Sequence, residues 1–308
     1  MSQAAEVSVD SEVRDAPRLL AVHAHPDDES SKGAATLAAY ADRGAEVMVV
    51  SCTGGEAGSV LNEGLAARAH AERDIGGLRR LEMAAAQEVL GIEHTWLGFV
   101  DSGMPEEGPV PSASFAGLPL RIAAAPLVRL VRRFRPHVII SYDENGGYPH
   151  PDHIRAHQVA VEAFRAAGEA DEYPDLGAPW SVSKLYYDRV FSGQKLRAIA
   201  EHLRSLDPED PRLATFEEMK RWGEETPFLA TTQIVISGYH DRRDAALRAH
   251  ASQVAPDNAF FFLPHEAIDA AWPTDDFQLV ESRVDAPTPE TDLFAGVDLG
   301  SHRNETTA

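Results

Sequence analysis

Residues Arg18 to Ser30 read RLLAVHAHPDDES. The first half is apolar without alternation, the pattern of a strand covered on both faces in a parallel sheet. The second half places His23, His25, Asp27, Asp28 and Glu29 where such a strand ends. SSKGAATLAAYADRG then reads as a helix, with Ser30 or Ser31 as N-cap and Gly44 as C-cap. AEVMVVSCT follows as a valine-rich apolar strand, which completes a βαβ unit.

The alternation continues outward from this unit. GLRRLEMAAAQEVLG predicts a helix, HTWLGFV a short strand, PLRIAAAPLVRLVRRFRP a helix containing Pro126, HVIISYD (His137 to Asp143) a buried strand, and HIRAHQVAVEAFRAAG a helix. DSGMPEEGPVPSASFAGLP interrupts the order as a surface loop. Past Gly168 the periodicities weaken; SKLYYDRV and TTQIVISG read as strands, QKLRAIAEHLRSL and DRRDAALRAHASQ as helices. The expected fold class is α/β, a mostly parallel doubly wound sheet with helices on both faces and a smaller irregular C-terminal portion. Residues 1–16 are expected to be a disordered tail, 17–283 a single α/β catalytic domain, and 284–308 an irregular tail rich in Pro, Thr and acid.

Composition narrows the partners. The 308 residues carry a formal charge of -21, which repels phosphate backbones and argues against nucleic acid. Cys52 is the one cysteine, so no internal disulfide exists and a reducing compartment is expected. Cys52 falls in a buried strand with no base signature beside it, and reads as core. The acidic N-terminus lacks the basic start and apolar run of a signal peptide. No apolar run approaches the roughly 20 residues that span a bilayer. A cytoplasmic protein without a membrane partner is expected; oligomeric state is not legible.

In a doubly wound sheet, ligands bind beyond the carboxyl ends of the strands. Two loops rich in His and Asp lie at such ends: HPDD after the first strand, and GYPHPDHIRAH (Gly147 to His157) after HVIISYD. Zinc suits this set, because it takes imidazole nitrogen and carboxylate oxygen, with three protein ligands and water in catalytic sites. His25, one aspartate of the pair and a group from HPDH make such a set. The other aspartate is then free to take a proton from the activated water. Each loop alone has a plainer reading. Asp27-Asp28-Glu29 suits a helix-capping turn, HPDH a turn and N-cap, and His153 with His157 either a metal pair or a solvated helix face. The coincidence of the two loops points to a metal.

AHPDDE followed more than a hundred residues later by HPDH resembles the signature of the PIG-L-type (LmbE-like) zinc-dependent deacetylases. The resemblance implies a Rossmann-like α/β hydrolase acting on N-acyl glucosamine derivatives. A finer likeness, to the mycothiol S-conjugate amidases of actinobacteria, runs from about Arg18 to Gly296 through LLAVHAHPDDESSKGAATLA, EHTWLGFVDSGMP, FRPHVIISYDENGGYPHPDHIRAHQVA, WSVSKLYY, RRDAALRAH and ETDLFAG. It is weakest at residues 105–120 and 190–235. The sister deacetylases of mycothiol biosynthesis share the catalytic motifs but typically carry serine where Lys32 stands. SSKGAAT and HTWLGFVDSG therefore pull toward the amidases, whose substrates are small-molecule mycothiol S-conjugates.

The likeness implies roles residue by residue. His25, Asp28 and His153 would ligate one Zn²⁺, and Fe²⁺ tolerates the same donors. Asp27 would be the general base. His150, protonated, would donate to the oxyanion, Asp152 would orient His150, and Tyr148 would help stabilise the oxyanion. Arg79 and Asp101 match positions that contact sugar or inositol hydroxyls, which suits directional hydrogen bonding to a polyol. Arg79 could equally be an exposed charge paired with Glu82. Lys32 would reach the pocket rim, and His23 and Glu56 would line the cleft.

Overall fold

A computed structural model describes residues 13–14, 16–105, 107–219, 227–299 and 301–302. In chain order the elements are β1 (Val13–Arg14), β2 (Arg18–His23), α1 (Asp28–Ser31), α2 (Ala34–Asp42), β3 (Glu46–Thr53), α3 (Arg68–Ala71), α4 (Ile75–Leu90), β4 (Glu93–Phe99), α5 (Leu120–Phe134), β5 (Val138–Ser141), α6 (Pro151–Ala166), β6 (Lys184–Asp188), α7 (Gly193–Leu206), α8 (Leu213–Met219), β7 (Thr232–Val235), α9 (His240–Ala249), α10 (His265–Ala271), β8 (Thr274–Ser282) and β9 (Ser301–His302). Most of the tail expected at residues 1–16 lies outside the described residues. Val13–Arg14 pairs antiparallel with Ser301–His302.

Seven strands form one sheet in the order β4-β3-β2-β5-β6-β8-β7. The first five run parallel, and β8 is antiparallel to both β6 and β7. The chain winds outward from β2 to β4, then returns to β5 on the other side of β2. The order therefore reverses between β2 and β5, and a crevice opens there beyond their carboxyl ends.

Apolar residues without alternation are what this sheet demands. Leu20 and Val22 of β2 pack with Leu127 and Val131 of α5 and Val159 of α6 on one face. Leu19 and Ala21 pack with Leu37 of α2 and Met83 and Leu90 of α4 on the other. A smaller core joins α7, α8 and α10 through Ile199, Leu203, Phe216 and Ile268. Among the described residues, no helix is long and apolar enough to cross a membrane.

One local expectation is amended, and two features lie outside the expectations. The helix expected from Ser30 is broken in two, because Gly33 takes φ 91° and starts α2 afresh; neither Ser30 nor Ser31 caps it. Strand β8 has no apolar run to announce it, because Asp275 and Asp276 are buried within it. Residues 284–299 contain no helix or strand beyond one bridge at Glu290, yet they dock tightly, with Leu293 and Phe294 in the core beside β2.

Candidate active site

The two His/Asp loops meet at the crevice. Tyr142, just past β5, accepts a hydrogen bond at 2.8 Å from the N–H of Ala24, just past β2. Its ring also stacks on His153 at 4.5 Å. Asp143 shapes the second loop by accepting from Asn145 N–H and Gly147 N–H, both at 3.0 Å, and is braced by the Arg189 guanidinium. Gly146 takes φ 73°, and a Cβ there would sit 2.6 Å from the Cβ of His153, so glycine is required for this close approach.

Hydrogen bonding sets the donors. His153 Nδ1 lies 2.9 Å from Gly146 O, so it carries the proton and leaves Nε2 as a bare lone pair. That Nε2 is buried and makes no hydrogen bond. Asp28 Oδ2 stands 3.4 Å from it and 3.5 Å from His25 Nδ1. Metal bonds of 2.0–2.2 Å in a tetrahedron separate ligand atoms by about 3.3–3.6 Å. The other nitrogen of His25, Nε2, faces Asp152 Oδ2 at 3.5 Å and Asp101 Oδ1 at 3.8 Å, which places one ring proton there and leaves Nδ1 as the nitrogen an ion would take.

Two other trios, His25 with His150 and His153, and His25 with Asp101 and Asp152, have all donor atoms within 4.8 Å of one another, so the Asp28-centred set is the more open. Asp152 is engaged by Ser102 N–H at 2.9 Å and by the Ser102 hydroxyl. Asp101 accepts from Ala57 N–H at 3.2 Å and Gly103 N–H at 2.8 Å. His150 Nδ1 accepts from Asp152 N–H at 3.1 Å. Asp28 is engaged as well, its Oδ2 accepting from the His25 backbone N–H at 3.1 Å, and what marks out its set is the bare, buried Nε2 of His153 that faces it. These residues fit a divalent cation held by two imidazoles and one carboxylate.

The electrostatics agree. Burial pushes the Asp28 carboxyl up, but His153, Lys32 and His25 together hold it well below the usual carboxylate range. Burial pushes His25 down, but its contacts with Asp101, Asp152 and Asp28 carry it well above an ordinary imidazole. Burial lowers His153 to about 3, so that ring stays neutral. The pocket thus favours positive charge, borne by the His25 ring in the absence of an ion, and an ion would take the place of the proton on its Nδ1.

The remaining expected residues divide. Asp27 borders the crevice with its side chain 25% exposed and its Oδ2 accepting from Arg79 Nη2 at 2.8 Å. Burial, opposed by Arg79 and aided by Asp28, raises its carboxyl above the usual range. Arg79 is buried, and its other bonds go to Pro26 O at 2.6 Å and Gly55 O at 2.9 Å, so it is engaged by protein, not presented to a polyol. It does not pair with Glu82, which binds Ser252 instead. Lys32 donates to Asp28 Oδ1 at 2.6 Å from a nearly closed position instead of the rim.

His150 caps α6 with Nδ1 as acceptor, so its neutral ring presents an N–H at Nε2. Burial, then His25, lowers its pKa, which works against the protonated form expected. Asp152 touches His150 only through its backbone, and its carboxylate turns to Ser102 and His25. Tyr148 is 45% exposed beside His150 and His153. His23 is buried with both ring nitrogens unpartnered, and does not line an open cleft. Glu56 accepts from Asp101 N–H at 2.9 Å. Cys52 is fully buried. His157 lies with Nδ1 3.1 Å from Tyr142 O, away from the donor set.

Sequence reading missed Tyr142 and Ser102. Tyr142 looks like any core aromatic at a strand end. Ser102 lies in the DSG after β4, where the aspartate alone carries an expected site role.

A family model described as PIG-L, GlcNAc-PI de-N-acetylase, matches residues 20–164. Mycothiol S-conjugate amidase of Streptomyces coelicolor is 45% identical over 288 residues, covering 91% of this chain and 97% of that protein. The 1D-myo-inositol 2-acetamido-2-deoxy-alpha-D-glucopyranoside deacetylase of Streptomyces griseus is 42% identical over 294 residues, covering 92% and 89%. In fold, the chain is similar to N,N'-diacetylchitobiose deacetylase from Pyrococcus horikoshii, with a TM-score of 0.57 at 18% identity over 86% of this chain and 84% of that one. The chain therefore belongs to the PIG-L family and is a hydrolase of its amidase and deacetylase kind.

Proposed function

We propose that this enzyme is a zinc-dependent amidase that cleaves the amide between glucosaminyl-inositol and the acylated cysteine of mycothiol S-conjugates, releasing a mercapturic acid. The observation that carries metal-assisted amide hydrolysis is the approach of His25 Nδ1 and His153 Nε2 to one oxygen of Asp28, with Asp27 beside them. The choice of substrate is supported by the 45% identity to the Streptomyces coelicolor amidase and by Lys32. A reducing cytoplasm suits the lone thiol of Cys52 and a thiol-derived substrate.

His25, Asp28 and His153 would hold the ion. When bound, it supplies Lewis-acid polarisation of the amide carbonyl and a water made acidic enough to ionise near neutral pH. Asp27 takes the proton of the attacking water at Oδ1, which has no hydrogen-bond partner among the described residues, while Arg79 fixes Oδ2. The same carboxyl returns that proton to the leaving amine nitrogen. His150 donates from Nε2 to the developing oxyanion as a neutral imidazole, and Tyr148 lies on the same side to assist. Asp152, locked by Ser102, orients His25. Asp101 faces the same nitrogen of His25, and Lys32 fixes the carboxylate of Asp28.

A second reading, deacetylation of N-acetylglucosaminyl-inositol, is favoured by the 42% identity to the Streptomyces griseus deacetylase. Zinc-loaded enzyme is assayed with the bimane conjugate of mycothiol and with N-acetylglucosaminyl-inositol. The proposal expects kcat/KM about 100-fold higher for the conjugate, the discrimination that pocket contacts supply. The reverse ratio assigns the deacetylase, and turnover of neither substrate defeats both readings.

A further inference from the structure

Asp27 takes φ 111°, a left-handed conformation that a residue with a side chain adopts only when its surroundings hold it there. Its backbone N–H donates to Glu29 Oε2 at 2.9 Å. The other oxygen of Glu29 accepts from Ser30 Oγ at 2.5 Å and lies 2.8 Å from His250 Nε2. Glu29 and His250 have no exposure, and both oxygens of Glu29 are engaged, so neither residue touches substrate. His250 stands at the C-cap of α9, 221 residues from Glu29.

The residues after His250 are fastened to α4, close to the arginine that holds Asp27. Ser252 donates from N–H and from Oγ to the two oxygens of Glu82, each at 2.7 Å. Glu82 lies one turn along α4 from Arg79, whose guanidinium grips the Asp27 carboxylate at 2.8 Å. Ser252 O accepts from Leu61 N–H at 2.9 Å, and Gln253 Nε2 donates to Ser59 O at 3.1 Å, which ties the loop after β3 to the same point.

We propose that the segment His250–Gln253 is a clasp, that His250 is a positioning residue for Asp27 through Glu29 and the Asp27 backbone, and that Ser252 anchors the clasp on α4. The proposal rests on Asp27 being the general base. A group acting only through Asp27 affects turnover and leaves metal and substrate binding alone, and its effect vanishes when Asp27 is removed.

The test compares wild type, His250→Ala, His250→Gln, Asp27→Ala and the His250→Ala/Asp27→Ala double variant, as zinc-loaded enzymes on the mycothiol bimane conjugate. His250→Ala is expected to lower kcat by about 10–100-fold, the scale on which remote misplacement of a catalytic group acts. KM and zinc content stay as in wild type. His250→Gln keeps a nitrogen donor within reach of Glu29 and recovers most of kcat. In the Asp27→Ala background, His250→Ala costs almost nothing more. In metal-free protein, hydrogen exchange of the peptide spanning Ala24 to Ser31 speeds up in His250→Ala and not in His250→Gln.

An equal cost of His250→Ala with and without Asp27, or a loss that follows zinc content, overturns the clasp. If His250→Ala fails to fold, Ser252→Ala is put through the same cycle, and the same additivity overturns the proposal. Full activity in Asp27→Ala alone defeats the assignment of the base, and the clasp falls with it. That result is read in a single variant, apart from the cycle.

Discussion

At the far side of β6, Lys184 and Glu290 meet with no exposure on either side chain. Beyond β2, His25, Asp28 and His153 meet nearly as deeply buried. The wiring differs. Glu290 Oε1 accepts from Lys184 Nζ at 2.5 Å, and Oε2 accepts from the Tyr186 hydroxyl at 2.7 Å and Thr232 Oγ1 at 2.9 Å. Both oxygens there face protons. In the crevice, His153 Nε2 has no hydrogen-bond partner, and acceptor atoms face one another. A saturated buried cluster fastens the fold; one that leaves lone pairs converging is built for something that supplies positive charge.

The largest effect should come from the crevice. His153→Ala is expected to lower kcat/KM by well over 100-fold, since even the outer partners of metal ligands cost about 10–100-fold. Steady-state kinetics with added zinc check this. Glu290→Ala should invert the pattern, leaving Lys184 buried and unpaired. Denaturant unfolding is expected to show a loss of about 3–5 kcal/mol, while the activity of the folded fraction stays close to wild type. If Glu290→Ala instead abolished activity in folded enzyme, the division of labour between the clusters would be wrong.

Gly146→Ala sharpens the comparison from the backbone. Its Cβ would press on His153 and Ile154 N at a φ of 73°. Zinc affinity is expected to fall by about 10–100-fold, as for other changes that reorient a ligand, and a competitive chelator titration measures it.

The smallest effect concerns His23, whose pKa is lowered to about 4 by burial, against Asp28 and Glu29, which raise it. The unfolded chain takes up this proton near pH 6.5 and the folded chain only near 4. Folding stability from this group is therefore intact above 6.5 and lost as pH falls toward 4. In metal-free protein, His23→Leu should melt with a shallower acid limb across that window. An unchanged limb would mean that His23 is not kept neutral.

The sheet was legible because β2, β3 and β5 are covered on both faces and so write their burial into uninterrupted apolar runs. The crevice was legible because its donors cluster in two short motifs at strand ends. β8 was hidden because Asp275 and Asp276 are buried but satisfied, with Thr36 Oγ1 at 2.9 Å from the first and the Trp272 indole N–H at 2.8 Å from the second. Partners remote in sequence leave no local pattern. The same holds for Arg79 and Asp101, whose types suit a sugar but whose hydrogen bonds go to the protein, and for His250, which looks like the end of an ordinary helix.

The central claim is that His25, Asp28 and His153 hold the metal and Asp27 does not. Zinc binding by equilibrium titration, on wild type and the alanine variant of each of the four, tests it most directly. The account predicts one tight equivalent in wild type and in Asp27→Ala, with kcat of the latter reduced by about 100–10,000-fold as for a lost general base, and no tight equivalent in the other three. A tight equivalent retained by any of those three, or its loss in Asp27→Ala, would contradict it.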